Sequence, residues 1–202
     1  MKRKGLVVVI SAPSGTGKGT LLAALKNVAQ NMKYSISVTT RIPRAGEVDG
    51  RDYFFTTHEN FQKMIDDNML LEWDSFVGNY YGTPREYIEN CVNEGYDVYL
   101  DITVKGALQI KQNYNDCVLI FMLPPSFNEL QRRITSRGTE TQEVIKQRLE
   151  QAKEEIDYLN KYDYVIINDN VDNAVNDVLA IVHAEKLKVW RNSDIGKRLG
   201  FY

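Results

Sequence analysis

The chain has 202 residues, 43% of them hydrophobic and 26% charged, which is enough to bury one large core or a core domain carrying insertions and too apolar for a disordered chain. Lys and Arg number 25 against 27 Asp and Glu, a net charge of −2, so no overall basic field exists to hold a nucleic-acid backbone. The longest apolar runs, 6–10 and 118–123, fall far short of the roughly 20 residues that cross a bilayer, which excludes a spanning helix.

The start, Met1-Lys-Arg-Lys followed by apolar residues, imitates a signal peptide. The apolar run is short, however, and enters a glycine-rich turn, so residues 6–11 are expected to form a buried strand. Near-continuous apolar runs at 98–101, 118–123 and 164–168 predict further core strands. Amphipathic patterns at about 19–31, 104–113, 126–135, 141–160 and 171–190 predict helices, with Ser126, Thr141 and Asp172 near the last three starts for capping. Strands alternating with helices imply α/β architecture, a mainly parallel sheet flanked by helices.

Between 34 and 93 the texture changes to short alternating strands, many tyrosines and Gly or Pro turns, which predicts an insertion over the sheet rather than another βαβ unit. Arg137-Gly-Thr-Glu-Thr141 is a polar break between two helices, the make-up of a small mobile lid over about 136–148. The core is then 1–33 and 94–190, and the polar, basic tail 191–202 is expected to be poorly ordered. Cys91 and Cys117 stand 26 positions apart with no zinc or redox spacing, as isolated reduced thiols of a cytoplasmic protein do.

The strongest chemical signal is Ser11-Ala12-Pro13-Ser14-Gly15-Thr16-Gly17-Lys18-Gly19-Thr20, set between a buried strand and a helix. Backbone N–H groups and the helix start converge there on an anion, and Lys18 adds a full positive charge over the terminal phosphates. The strict pattern G-x-x-x-x-G-K-[ST] fails at both ends, with Ala12 at the first glycine and Gly19 at the hydroxyl position. Ala12 precedes Pro13, which favours extended backbone, so its Cβ costs little. The hydroxyl moves to Thr20, which with Asp101 at the end of its strand could hold magnesium, partly through water.

Arg41 and Arg44 stand three apart with Pro43 stiffening the interval, an arrangement able to clamp one phosphate bidentately. The run Ser37-x-x-x-Arg41-x-x-Arg44-x-Gly-Glu-x-x-Gly-x-Asp-Tyr53 resembles the guanylate kinases, as do Glu72, Gly78-Asn-Tyr-Tyr-Gly-Thr83, Arg137-Gly-Thr-Glu-Thr141 and Ile167-Asn168-Asp169. The resemblance spans about residues 5–188 in the right order. It implies a nucleoside monophosphate kinase fold with a phosphate loop, a mixed α/β nucleotide-binding insertion at 34–93 and a lid.

The activity implied is transfer of the γ-phosphoryl group of ATP to GMP, and to dGMP, giving ADP and GDP, with Mg2+. The loop from Ala12 to Thr20 together with Asn168 would bind ATP. Arg41, Arg44, Tyr53 and Tyr81 would hold the acceptor phosphate, while Glu72 accepts the two adjacent donors of guanine and Ser37 and Thr83 read its O6 side. Adenine lacks that donor pair and would leave a buried carboxylate unpaired. Lys18, Arg41, Arg137 and Arg148 would neutralise charge during transfer, the last two from the lid, and Arg133 shares a helical face with Arg137.

Thr103 stands where the family usually has a second acid, and Lys105 where glutamine or an acid is commoner, so neither is assigned to the site. Two other readings keep much of the pattern: a non-catalytic guanylate-kinase-like module that binds phosphopeptides, and a kinase for another small phosphorylated acceptor.

Overall fold

The computed structural model describes residues 4–136 and 141–202. In chain order its elements are β1 (Val7–Ser11), α1 (Lys18–Val28), β2 (Met32–Tyr34), β3 (Val38–Thr39), β4 (Phe54–Phe55), α2 (His58–Asp66), β5 (Leu70–Phe76), β6 (Asn79–Pro84), α3 (Arg85–Asn93), β7 (Asp97–Asp101), α4 (Val104–Asn113), β8 (Cys117–Leu123), α5 (Phe127–Thr135), α6 (Gln142–Ile156), β9 (Tyr164–Ile167), α7 (Val171–Leu187) and α8 (Ile195–Arg198).

The main sheet is parallel, in the order β2-β7-β1-β8-β9. Strand β1 is a run of β-branched residues buried along its whole length because each face meets helices. Val8 and Ile10 face Leu21, Leu25 and Val178 of α1 and α7. Val7 and Val9 face Ile88, Val92, Ala107 and Ile110 of α3 and α4. Truncating such a side chain to alanine costs about 2–5 kcal/mol.

The chain leaves β1 for β2 at one edge, comes back to β7 beside β1, and then crosses to β8 and β9 on the other side, so strand order reverses at β1 and a crevice opens at the carboxyl ends. Ile10 of β1 is level with Asp101 of β7, which brings the loop after β1 beside that carboxylate.

A second, mixed sheet in the order β4-β3-β6-β5 is built from the insertion and packs on Phe61 of α2. Three elements in and beside it go beyond the sequence reading. Strand β2 joins the main sheet, and α2 and α3 are regular helices. Ile88, Cys91 and Val92 of α3 pack in the main core rather than on the small sheet, and Tyr34 lies in β2. Nine-residue helices with few apolar positions are easily concealed, since their periodicity covers little more than two turns.

Ser126 and Thr141 cap α5 and α6 as expected, but α7 is capped by Asn170, which accepts from the N–H groups of Asp172 and Asn173. The Asp172 assignment is therefore corrected: that residue lies inside the first turn. The tail is also corrected, since Val189–Asn192 form a 3-10 turn and α8 follows. Arg191 pairs with Asp116, and the buried Asn192 amide donates to the carbonyls of Lys186 and Lys188, each at 2.9 Å, which pins a segment that looks merely polar in sequence. Among the described residues no helix is long and apolar enough to cross a membrane.

Candidate active site

The loop between β1 and α1 turns on Gly15 and Gly17, whose φ values of +91° and +92° suit glycine. Among the described non-glycine residues only Asn68 and Val77 have positive φ, so Ala12 sits in ordinary backbone, as its place before Pro13 predicts. No side chain caps α1, which leaves the N–H groups of its first turn available to an anion.

The loop is braced from behind. Thr16 Oγ1 donates to the Pro13 carbonyl at 2.8 Å. The buried amide of Asn168 donates to Thr16 O at 2.7 Å, and Arg133 Nη1 donates to the same carbonyl at 3.1 Å. Arg133 also donates to the Asn168 carbonyl at 3.2 Å and to Glu129 at 2.7 Å. Asn168 and Arg133 thus touch the loop backbone. A Cβ on Gly17 would meet Asn168 Nδ2 at 2.7 Å, which shows how closely the amide is seated.

Lys18 Nζ lies 2.6 Å from Asp101 Oδ1 and donates to the Ile102 carbonyl at 3.2 Å. The Asp101 side chain is 51% exposed, so it keeps a face toward solvent while it holds the lysine. Thr20 is exposed on the first turn of α1.

A cavity of about 310 Å³ is lined by Ser37, Tyr53, Glu72, Tyr81, Asp101 and Thr103, with Asp74, Ser75, Phe76 and Ile102 completing its wall. Strand pairing sets Glu72 opposite Thr83, and the Thr83 hydroxyl donates to Glu72 Oε1 at 2.6 Å. Glu72 is only 6% exposed. Burial pushes its carboxyl up from an ordinary 4.5 to about 7, against the pull of the Thr83 hydrogen bond, and the charge of Asp74 adds to the rise.

Tyr53 and Tyr81 meet edge to face with centroids 6.2 Å apart, and the Arg41 guanidinium lies 5.2 Å from the Tyr53 ring. Arg41 Nη2 straddles Glu47 at 2.8 and 3.0 Å, and the Arg44 backbone N–H donates to the same carboxylate at 2.8 Å. A single guanidinium nitrogen is thus shared between the two carboxylate oxygens, and the other, Nη1, donates to the Ile42 carbonyl at 2.9 Å. Arg44 itself is exposed.

Ser37, Tyr53, Glu72, Tyr81 and Asp101 therefore line one cavity, with Thr83 and Arg41 against it. Arg148 lies on α6, which packs on α5 through Leu149, Ile145 and Ile134. Arg137 falls outside the described residues, as does most of the Arg137-Gly-Thr-Glu-Thr141 motif.

Three residues with a place in this geometry were missed or left aside in the sequence. Glu47 holds Arg41, Thr103 lines the cavity while its hydroxyl caps α4, and Gly106 lies against Glu72, where a Cβ would come 2.8 Å from Oε2. An acid six positions after Arg41 was the available signal for Glu47; nothing local marked Gly106.

A larger cavity of about 720 Å³ lies among β4, α2 and α3, including Phe54, Met64 and Tyr87. Its charged lining is Asp49, Asp67, Glu86 and Glu89 against Arg85 alone, which disfavours a polyanionic nucleotide.

Comparison with known proteins agrees with this geometry. The family model described as guanylate kinase matches residues 4–185. The chain is 50% identical over 195 residues to a guanylate kinase of Caldanaerobacter subterraneus subsp. tengcongensis, covering 96% of this chain and 95% of the other. It is 52% identical over 189 residues to that of Bacillus subtilis, covering 93% of each. The crystal structure of guanylate kinase from Anaplasma phagocytophilum superposes with a TM-score of 0.69 at 34% identity, over 94% of this chain and 90% of that one.

Proposed function

From the premise that this chain belongs to the guanylate kinase family and transfers a phosphoryl group from ATP to GMP, we propose that the crevice at the end of β1 holds the donor and the Glu72 cavity the acceptor. The observation that carries this reading is the shared wall: Asp101, paired with Lys18 of the phosphate loop, lines the same cavity as Glu72, Tyr53 and Tyr81. On this reading the domains are a core built on the main sheet, an acceptor-binding insertion within 34–93 whose two ends, Tyr34 and α3, join that core, and a lid near 136–148.

The ionised Glu72 accepts the N1–H and amino group of guanine, with Thr83 and Ser37 beside it. Arg41, Arg44, Tyr53 and Tyr81 bind the 5′-phosphate, the incoming anion taking the place of Glu47 on the Arg41 guanidinium. An acceptor phosphate oxygen attacks the γ-phosphorus of ATP, a P–O bond forms, and the bond to the β–γ bridging oxygen breaks, leaving ADP and GDP. The residues do no covalent chemistry. Lys18, released from Asp101, neutralises charge on the donor phosphates, and Arg137 and Arg148 add charge from the lid.

The residues fit Mg2+ as an outer shell. Asp101 and Thr20 offer hard oxygens with a solvent-facing side, and among the described residues no cluster of three or more His, Cys, Asp or Glu forms a dedicated cage. When bound, the ion would shield the donor phosphates, held chiefly by ATP and water. Two free, buried cysteines suit the reducing cytoplasm.

The test is ADP release with GMP, dGMP, AMP and no acceptor, with and without a magnesium chelator. GMP and dGMP should support turnover, AMP and the blank should not, and chelation should abolish it. Equal rates with AMP would remove Glu72 as base reader.

A further inference from the structure

We propose that helix α4 sets the position of the base-reading carboxylate, with Gln109 as the positioning residue; this rests on the reading of Glu72 given above. Strand β5 is an edge strand, paired with β6 on one side only. Its outward N–H and C=O groups need partners from elsewhere.

Helix α4 supplies them. The Gln109 side chain accepts from the Trp73 N–H at 3.1 Å and donates to the Trp73 carbonyl at 3.0 Å, the two bonds a neighbouring strand would make. Asn113 Nδ2 donates to the Leu71 carbonyl at 2.9 Å, and Lys105 Nζ lies 2.7 Å from Asp74 Oδ1. Residues 105, 109 and 113 are spaced by four and share one helical face.

Leu71 and Trp73 are the chain neighbours of Glu72, so these contacts bracket it. Gly106 completes the fit from the same helix, since any Cβ there would press on Glu72 Oε2 at 2.8 Å. Ala107 and Ile110 anchor the other side of α4 in the main core. The position of Glu72 in the small sheet is thereby fixed relative to the main sheet, which carries Asp101 and the phosphate loop.

The experiment compares steady-state kinetics of Gln109→Met, which keeps the length of the side chain and removes both bonds, with Gln112→Met on an exposed position of the same helix. Gln109→Met should raise KM for GMP about three- to tenfold, the effect of one or two lost hydrogen bonds, with kcat and KM for ATP unchanged. Gln109→Glu, which keeps the acceptor but sets an anionic oxygen against the Trp73 carbonyl, should raise KM for GMP at least as far, and it carries the comparison if the methionine variant does not fold. Gly106→Ala should show the same split, and Gln112→Met should match the parent.

An unchanged KM for GMP in the Gln109 variants, or equal changes in the ATP and GMP parameters, would overturn the assignment. Glu72→Gln separates the two readings. If it leaves the preference for GMP over AMP intact, the base-reading role fails. If it abolishes that preference while Gln109→Met binds GMP normally, only the role of α4 fails.

Discussion

Thr83 and Glu72 share a buried hydrogen bond of 2.6 Å, in which a hydroxyl supports a carboxylate that burial itself opposes. On the proposed reading Glu72 must be ionised to accept both donors of guanine, and burial pushes its carboxyl up to about 7. In kcat/KM for GMP the activity should therefore fall about tenfold per pH unit below that step, as for any single essential proton. The profile for ATP should lack the step, and Thr83→Val should move it to higher pH. The same group affects stability with the opposite sense. Its folded pKa is raised, so its contribution is full below 4.5 and is lost as pH rises toward 7, a fall in the melting temperature that Glu72→Gln should remove.

The Lys18 ammonium is held by Asp101 and the Ile102 carbonyl, with no core contact depending on it. Lys18→Met should lower kcat by about a hundred- to a thousandfold, the usual cost of one preorganised charge on the transition state. Circular dichroism should show the fold intact. Activity within threefold of the parent would take Lys18 out of the mechanism.

One nitrogen of Arg41, Nη2, reaches both oxygens of Glu47 at 2.8 and 3.0 Å, while Nη1 donates to the Ile42 carbonyl at 2.9 Å. A lysine offers a point charge without the planar set of donors that meets Glu47 and the Ile42 carbonyl together. Arg41→Lys should raise KM for GMP about tenfold or more, the loss of one charge-assisted hydrogen bond, with KM for ATP little changed. Titration of binding by calorimetry checks it separately from turnover.

Asn168 donates to Thr16 O from a buried position, and its amide stands 2.7 Å from the point where a Cβ on Gly17 would be. Asn168→Ala removes one of the two side-chain donors to that carbonyl, Arg133 keeping the other, and should cost about 0.5–1.5 kcal/mol, read in urea unfolding. Gly17→Ala combines a left-handed φ with that steric contact and should be at least as costly. In both variants ATP should bind more weakly, because the loop that presents its N–H groups is no longer braced.

The phosphate loop was legible because its chemistry is local: two glycines at positive φ, Lys18 and a buried strand before them fall within twelve residues. The strands of the main sheet were legible for a related reason, since burial on both faces leaves uninterrupted β-branched runs. The helices α2 and α3 were not, because nine residues give too little periodicity to separate from a strand-rich stretch. Asn168 shows the same limit at the site. Its presence in the motif was plain, but that its amide braces Thr16, 152 positions away, is a fact of packing.

The sequence by itself determined the class of fold, the anion-binding loop and, through its ordered motifs, the guanylate kinase family. Those rest on residue types whose physical demands are met within a few positions of the chain. Only the tertiary structure decided how the Glu72 cavity is shared with Asp101, how Glu47 holds Arg41, and how α4 lies against β5 beside Glu72. Each of these depends on groups far apart in sequence meeting at hydrogen-bond distance, and that is set by the register of two sheets and the helix between them.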